Sequence, residues 1–372
     1  MIQIPYSRTG FRGTHGSNDR LPPPAGVTAP ALPLVLAGPI LRRLTPSRLT
    51  IWLSVSAPVR LRIELESGYD APLTFTLEPD TAECRCLVAG KCLRYLLLDL
   101  PLAKPLPHDT WIGYSVALQH LNASDGAWHP WTEWAPDLAY PGQESPGFVL
   151  PEHVGSLLHG SCRKPHHPGG DGLAHADGLL ARCLRAAREG TAGEAGDTLP
   201  AWPSALVLSG DQIYADDVAG PMLRAIHLLV ERLGAPVEKL AGAEETGLTD
   251  AAELYRHRAG YYRRETLLPR YKHNHALLEV LFGGVEKPVF TTDNAHNHLI
   301  TLAEVLAMYL LAWSPEPWRD LELDPPPWLD APERGRYAQE RDAIEGFVAE
   351  LPSVRRVLAH LPVAMIFDDH DI

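Results

Sequence analysis

The sequence has few cysteines and no regular pattern among them, which argues against a disulfide-stabilised fold. An odd number of five, Cys84, Cys86, Cys92, Cys162 and Cys183, is spread over 372 residues. The first three lie close together but lack the paired spacing and the nearby fourth ligand of a structural zinc site. We interpret them as small residues within strands.

Long apolar runs and an excess of basic residues are also missing. Acidic residues outnumber basic ones by 46 to 33, for a net charge of −13. This balance disfavours nucleic acid or an anionic membrane as the main partner, because both need a basic surface. A phosphate ester stays possible as a substrate, since bound cations reverse the local field. The residues up to Pro24 show neither a secretory signal nor a twin-arginine pattern, so we expect a cytoplasmic protein.

The hydropathy pattern divides the chain into three parts. Residues 1–29 are rich in Gly, Pro and Ser and predict a flexible segment. Residues 30–148 contain period-two runs separated by turn residues, which predict an antiparallel β-sandwich domain. Residues 149–372 combine apolar strands with helical patterns, which are typical of an α/β domain. Within this part we expect residues 216–281 to be mostly helical and a further helix over residues 298–313.

Three apolar runs in the last part each end in residues that could bind a metal. Residues 154–160, 204–209 and 362–367 are followed by Ser161-Cys162-Arg163, by Gly210-Asp211-Gln212-Ile213-Tyr214-Ala215-Asp216 and by Asp368-Asp369-His370-Asp371. Functional groups gather at the carboxyl ends of strands in α/β sheets. We therefore expect the three motifs to converge on one site.

The residue types in these motifs fit metal-dependent phosphate chemistry. A carboxylate directly after glycine can approach two cations, and a thiol with a phenol suits ferric iron better than magnesium. Arg163 offers a forked donor for phosphate oxygens, and His370 is placed to protonate a leaving oxygen. Each motif alone is common, but their combination and order are more specific.

At these three motifs the sequence resembles the PhoD-like alkaline phosphatases of the calcineurin-type metallophosphoesterase superfamily. The likeness extends from about residue 36 to the end, and it includes Gly38-Pro39-Ile40-Leu41-Arg42, the strand at Ile51-Trp52, and residues 290–313. The resemblance implies a β-sandwich followed by a four-layer α/β/β/α domain. It also implies hydrolysis of phosphomonoesters or phosphodiesters with iron and calcium.

The resemblance also assigns individual roles. By its pattern Cys162, Asp211 and Tyr214 would bind an iron-like ion, with Asp211 bridging to a second one. Asp369 would be a further metal ligand, with Asp368 as the alternative if the alignment shifts by one residue, and His370 and Arg163 would be catalytic. The family has later His-rich motifs, whereas this chain ends at Ile372. We therefore expect an incomplete metallophosphatase domain and little turnover from the chain itself.

Other interpretations remain open. The Asp-x-Asp pattern after residue 367 resembles the nucleophile of haloacid-dehalogenase-type phosphatases, and Cys162 with His159 or His166 could form a thiol hydrolase. A non-enzyme is a third possibility, with the β domain as an interaction module and a degenerate metallophosphatase remnant. Tyr255-Arg256-His257-Arg258-Ala259-Gly260-Tyr261-Tyr262-Arg263-Arg264 could reach a phosphate, although we favour a solvated helix face. The natural ester and the oligomeric state are left open.

Overall fold

A computed structural model describes residues 31–66, 71–190, 202–240, 247–267 and 295–371. The segment predicted to be flexible, residues 1–29, lies outside the described residues. So do residues 268–281 of the predicted helical region and residues 290–294 of the family-like stretch.

Two antiparallel sheets make up the first part of the chain. One has the strand order β1-β2-β6-β5 and consists of β1 (Val35–Thr45), β2 (Arg48–Val55), β5 (Cys84–Gly90) and β6 (Leu93–Pro101). The other has the order β4-β3-β7-β8, with β9 also paired to β7, and consists of β3 (Val59–Glu66), β4 (Leu73–Leu77), β7 (Trp111–His120), β8 (Trp128–Pro130) and β9 (Gly147–Val149).

The period-two pattern explains how these sheets pack. Val59, Leu61, Ile63 and Leu65 of β3 are buried, while the residues between them are only partly buried. Because side chains alternate between the faces of a strand, one face of β3 is apolar. Both sheets contribute buried residues to one hydrophobic cluster, which also contains Cys84. The predicted antiparallel sheets are thus confirmed.

A third, parallel sheet carries the three motifs. Its strands are β10 (Leu158–Gly160), β11 (Leu206–Leu208) and β12 (Val363–Met365), in that order. They are shorter than the apolar runs that predicted them. The extra residues of those runs include Val154, Leu157, Ile366 and Phe367, which are exposed.

Helices cover one face of the parallel sheet and build a separate core. Within the described residues the α-helices are α1 (Trp131–Trp134), α2 (Gly172–Glu189), α3 (Gly220–Leu233), α4 (Ala251–Leu254), α5 (Leu302–Trp313) and α6 (Ala331–His360). The helices α2 and α6 pack with Leu206, Leu208 and Val363 of the sheet, whereas α3 and α5 belong to another cluster. Among the described residues, no helix combines the length and the apolar character needed to cross a bilayer.

The helical predictions were partly wrong at their boundaries. The chain leaves α3 at Gly234, which adopts the left-handed conformation typical of a helix end, and residues 235–240 are mostly irregular. The predicted helix over residues 298–313 begins only at Leu302. Thr301 and Glu304 form a capping box there, and this fixes the first turn.

The segment from Tyr255 to Arg264 is not a solvated helix face. The Arg264 side chain is fully buried and donates to Glu304 at 2.6 Å and to the carbonyl of His298 at 2.9 Å. Burial favours the neutral form of Glu304, but Arg264 and His227 hold the pKa of this carboxyl below its ordinary value. Because Arg264 is committed to this network, it does not reach toward a phosphate.

His360 joins α6 to the second antiparallel sheet. Its ring stacks on Trp111 at 5.9 Å and meets Tyr140 edge-on at 4.6 Å, and its Nδ1 donates to the carbonyl of Arg356. The side chain is completely buried, and burial lowers the pKa of His360 from 6.5 to about 4. The neutral imidazole is therefore part of the folded state.

Replacing His360 by glutamine should flatten the dependence of stability on pH. The pKa of His360 is lower in the folded state than in the unfolded chain, so the unfolded chain takes up the proton first as the pH falls. The neutral His360 side chain therefore contributes roughly 3 kcal/mol to the free energy of unfolding above pH 6.5, and this contribution is lost as the pH falls toward about 4. Urea unfolding between pH 8 and pH 4.5 measures it. The free energy of unfolding of each protein is compared with its own value at pH 8. If it falls equally with pH in the original protein and in His360→Gln, His360 is not the source of this pH dependence.

Candidate metal centre

The parallel register brings the three predicted motifs to one edge of the sheet. Gly160, Leu208 and Met365, the last residues of β10, β11 and β12, are register partners. Backbone hydrogen bonds continue beyond the strands, from the Arg163 amide to the carbonyl of Asp211 at 2.8 Å and from the Ala215 amide to the carbonyl of His370 at 2.7 Å. The loops are therefore attached to one another as well as to the sheet.

The backbone at this edge adopts unusual conformations. Cys162 and Asp211 both have left-handed φ angles, of 59° and 50°. Such angles are uncommon for residues other than glycine and cost of order 1 kcal/mol. Gly210 has a φ of 130°, and a Cβ atom there would lie 2.6 Å from the Cβ of Asp368. Only glycine therefore lets the third loop approach the second this closely.

Asp211, Asp369 and His370 form a compact group of possible ligands. One ligand atom from each lies within 4.8 Å of the others, which is close enough to share one cation. The thiol of Cys162 donates to Oδ2 of Asp211 at 3.3 Å, so the sulfur borders the same group. Among the predicted ligands, Asp211 thus lies close both to Asp369 and to Cys162.

The carboxylate of Asp211 has a buried oxygen that a bound cation would stabilise. Its Oδ1 atom is buried and has no hydrogen-bond partner among the described residues. A buried carboxylate oxygen without a donor is costly. The donor set of carboxylates, imidazole and thiol therefore fits a metal ion at this position.

Tyr214 lies against the same group. Its ring stacks on His370 with a centroid separation of 4.6 Å. Burial raises the pKa of the Tyr214 phenol, and a hydrogen bond with Cys162 and the nearby charges of Asp211 and Asp216 raise it further. The phenol therefore stays protonated unless a cation offsets this negative environment, which is how it could become a ligand.

His370 is oriented by a carboxylate to which the sequence reasoning gave no role. Its Nδ1 donates to Oδ2 of the buried Asp216 at 2.8 Å. Burial works to lower the pKa of His370, but this hydrogen bond and the charges of Asp216, Asp211 and Asp369 raise it above its ordinary value. The only sequence signal for Asp216 was its place in the same motif as Asp211 and Tyr214.

Arg163 has different partners from those predicted. Its guanidinium pairs with Asp171, the N-cap residue of α2, at 2.7 Å, donates to the carbonyl of Ala312, and lies over the ring of Phe347. These contacts engage the fork within the protein and fasten the Cys162 loop to α2 and α5. In this conformation Arg163 acts as an anchor for the loop rather than as a phosphate ligand.

The geometry does not favour the thiol hydrolase or the haloacid-dehalogenase-type interpretation. His159 pairs with Ser209 at 2.8 Å and His166 faces Asp217 at 3.5 Å, so both imidazoles proposed as a base for Cys162 contact other residues. Cys162 also lies in a loop, whereas α2 begins only at Gly172. In the Asp-x-Asp interpretation the second carboxylate is Asp371, which is buried and fully hydrogen-bonded.

A cavity of about 760 Å³ opens beside the Cys162 loop, between β10, α2 and α6. Ser161, Cys162 and Gln212 are among its lining residues, and Leu173 and Phe347 contribute apolar surface. The cavity therefore reaches the thiol side of the candidate centre. A ligand group next to the metal could extend into this space.

Asp211→Asn should stabilise the metal-free protein and remove its stabilisation by metal. The amide would replace the unpartnered acceptor Oδ1 by a donor that can face the neighbouring Asp369 carboxylate, and it would remove one of several clustered negative charges. We expect a gain of about 1 kcal/mol in the free energy of unfolding without metal. Thermal unfolding with and without added metal measures both effects. Asp342→Asn, which changes an exposed carboxylate on α6, is the charge-matched control, and a destabilised metal-free Asp211→Asn protein would contradict the account.

Comparisons with known proteins give no information on the family or function of the chain. No family model matches the chain, and no curated protein matches it. The assignment of function therefore depends on the three motifs and on the geometry that brings them together.

Proposed function

We propose that the chain carries the metal site of a phosphoric ester hydrolase of the PhoD-like type. The observation that carries this proposal is the buried, unpartnered Oδ1 of Asp211 beside Asp369, His370 and Cys162. These groups follow the parallel strands β10, β11 and β12, which supports the proposal. In the same proposal the two antiparallel sheets form a β-sandwich, and the parallel sheet belongs to a four-layer α/β/β/α domain.

The donor set favours a thiophilic, strongly acidic metal. A thiolate and a phenolate prefer iron or zinc to magnesium, whereas the carboxylates alone would also accept calcium. Iron at Cys162, Asp211 and Tyr214, with calcium as the second ion, is the combination that the resemblance implies. When bound, such ions polarise a phosphoryl group and supply a hydroxide nucleophile at neutral pH.

The protein's own contribution centres on His370. Asp216 accepts a hydrogen bond from Nδ1 and thereby fixes the ring orientation and the tautomer, so that Nε2 is the atom left to act on a substrate. The raised pKa of His370 keeps a larger fraction of the imidazole protonated at a given pH. A protonated imidazole beside the centre can hydrogen-bond a phosphate oxygen or protonate a leaving alkoxide.

A second candidate function is a non-catalytic interaction protein. The extensive antiparallel sheets could present a binding surface, and the edge strand β5 has the exposed apolar residues Leu87 and Val88. In that case the motifs would be a remnant without a working metal site. Metal binding separates this candidate from the first.

Metal titration of the purified 372-residue chain tests the proposal. We expect uptake of cobalt(II) with a thiolate-to-metal charge-transfer band, and uptake of ferric iron with a phenolate band. Cys162→Ser should remove the first band and Tyr214→Phe the second. The matched controls are Cys86→Ser in β5 and Tyr95→Phe in β6, because these residues lie in the antiparallel sheet away from the site.

Inorganic phosphate extends the same experiment from metal binding to function. In the metal-loaded protein, phosphate should shift the charge-transfer bands and chloride should not, because a phosphate site beside the metal is what an ester hydrolase requires. Assays with p-nitrophenyl phosphate and its bis ester, with iron and calcium added, then compare mono- and diesterase turnover. Absence of metal uptake would contradict the proposal, and metal uptake without any effect of phosphate would favour the second candidate.

A further inference from the structure

Asp371 is the most deeply buried acidic residue at this edge of the sheet. It lies in the short 3-10 turn Asp369–Asp371 and is 1% exposed, whereas Asp368 and Asp369 beside it are exposed. Burial of an acidic side chain next to a group of other carboxylates is unfavourable unless the charge is hydrogen-bonded. The reason for its burial must therefore lie in its contacts.

Both oxygens of the Asp371 carboxylate are engaged by donors from three different parts of the chain. Oδ1 accepts from the backbone amide of Ile213 at 3.0 Å and from the hydroxyl of Tyr309 at 2.9 Å, and Oδ2 accepts from the amide of Asp368 at 2.9 Å. Ile213 lies between Asp211 and Tyr214, and Tyr309 lies on α5. One carboxylate thus connects the loop after β11, the loop after β12 and a core helix.

This pattern differs from that of the proposed ligands. Asp211 leaves a buried oxygen without a partner, whereas Asp371 has donors on both oxygens. Hydrogen-bonded carboxylates that hold the ligands of a metal in place determine how well a site is pre-organised. The Ala215 amide also binds the carbonyl of His370, which adds a backbone connection between the same two loops.

We propose that Asp371 is a positioning residue that fixes the separation between Asp211 and Tyr214 on one loop and Asp369 and His370 on the other. The inference rests on the proposed metal site and deepens it. Without the carboxylate the amides of Ile213 and Asp368 lose their shared acceptor. The strand register and the Ala215–His370 backbone bond still connect the second and third motifs, but the ligands are then held less precisely within one coordination sphere.

The test compares four variants by cobalt(II) affinity and by amide hydrogen exchange of residues 210–216 without metal. Asp371→Ala should weaken cobalt affinity about 10–100-fold, the usual effect of losing a group that orients ligands, and should speed exchange in this segment. Asp371→Asn keeps an oxygen for Ile213 and Tyr309 but presents an amide group to Asp368, so we expect an intermediate loss. Tyr309→Phe removes one of the bonds, and its effect should be smaller than that of Asp371→Asn.

Asp177→Ala is the matched control for a purely structural effect. Asp177 is another buried aspartate, 5% exposed, and accepts from Arg356 at 2.8 Å on the helical side of the sheet. This variant should lower thermal stability while leaving cobalt affinity and exchange of residues 210–216 within about two-fold of the original protein.

The outcomes separate the inference from the function on which it rests. If the original protein binds cobalt and Asp371→Ala binds it equally well, the positioning role is overturned while the metal site stands. An equal loss of affinity in Asp177→Ala would overturn it too, because the effect would then be general destabilisation. If the original protein takes up no cobalt, the proposed function fails and the metal-positioning role fails with it. Graded losses from Tyr309→Phe through Asp371→Asn to Asp371→Ala would support it.

Discussion

The in-register pairing of three short parallel strands determines where every candidate functional group lies. Gly160, Leu208 and Met365 end at the same level, so each chain segment turns into its loop beside the other two. The loops then exchange backbone hydrogen bonds and adopt left-handed conformations at Cys162 and Asp211. Since α2 and α6 bury one face of these strands, a shift in register would expose apolar residues, and packing therefore maintains the alignment of the site.

The convergence of the three loops brings several negatively charged side chains close to one another, which is electrostatically unfavourable. Asp211, Asp216, Asp369 and Asp371 come together with the thiol of Cys162 and the phenol of Tyr214. Asp371 has donors on both oxygens, whereas Asp211 and Asp216 each keep one buried oxygen without a donor, although the other oxygen of Asp216 accepts from His370. Proteins tolerate such local instability where function requires it. A bound cation would offset the repulsion and explain why so many negative groups converge at one edge of the sheet.

Sequence reasoning was most successful where the pattern reflects local physics. The alternation along β3 and the apolar runs before the motifs predicted strands that the structure contains, because burial of one face leaves a period-two signal. Glycine at position 210 was singled out as a way for the next carboxylate to approach cations, whereas the structure shows that a side chain there would collide with Asp368. The ligand roles of Cys162, Tyr214 and Asp369 remain predictions, although the structure places these residues together.

The errors have a common cause, since they depend on tertiary contacts that a local sequence pattern does not show. Arg163 meets Asp171 and the carbonyl of Ala312, and Arg264 is buried against Glu304, which no local pattern reveals. Asp216 and Asp371 were quoted within motifs without a role, because their function depends on the distant residues they contact. Charged side chains in particular are placed by tertiary partners, so their roles are the least predictable from one sequence.

X-ray absorption spectroscopy of the iron- or zinc-loaded chain tests the central claim most directly. If Cys162 and the carboxylate groups of the neighbouring loops share one coordination sphere, the spectrum should show a single sulfur neighbour at about 2.3 Å among oxygen neighbours. A sphere without sulfur, or with several sulfurs, would contradict the convergence of the three loops on one metal.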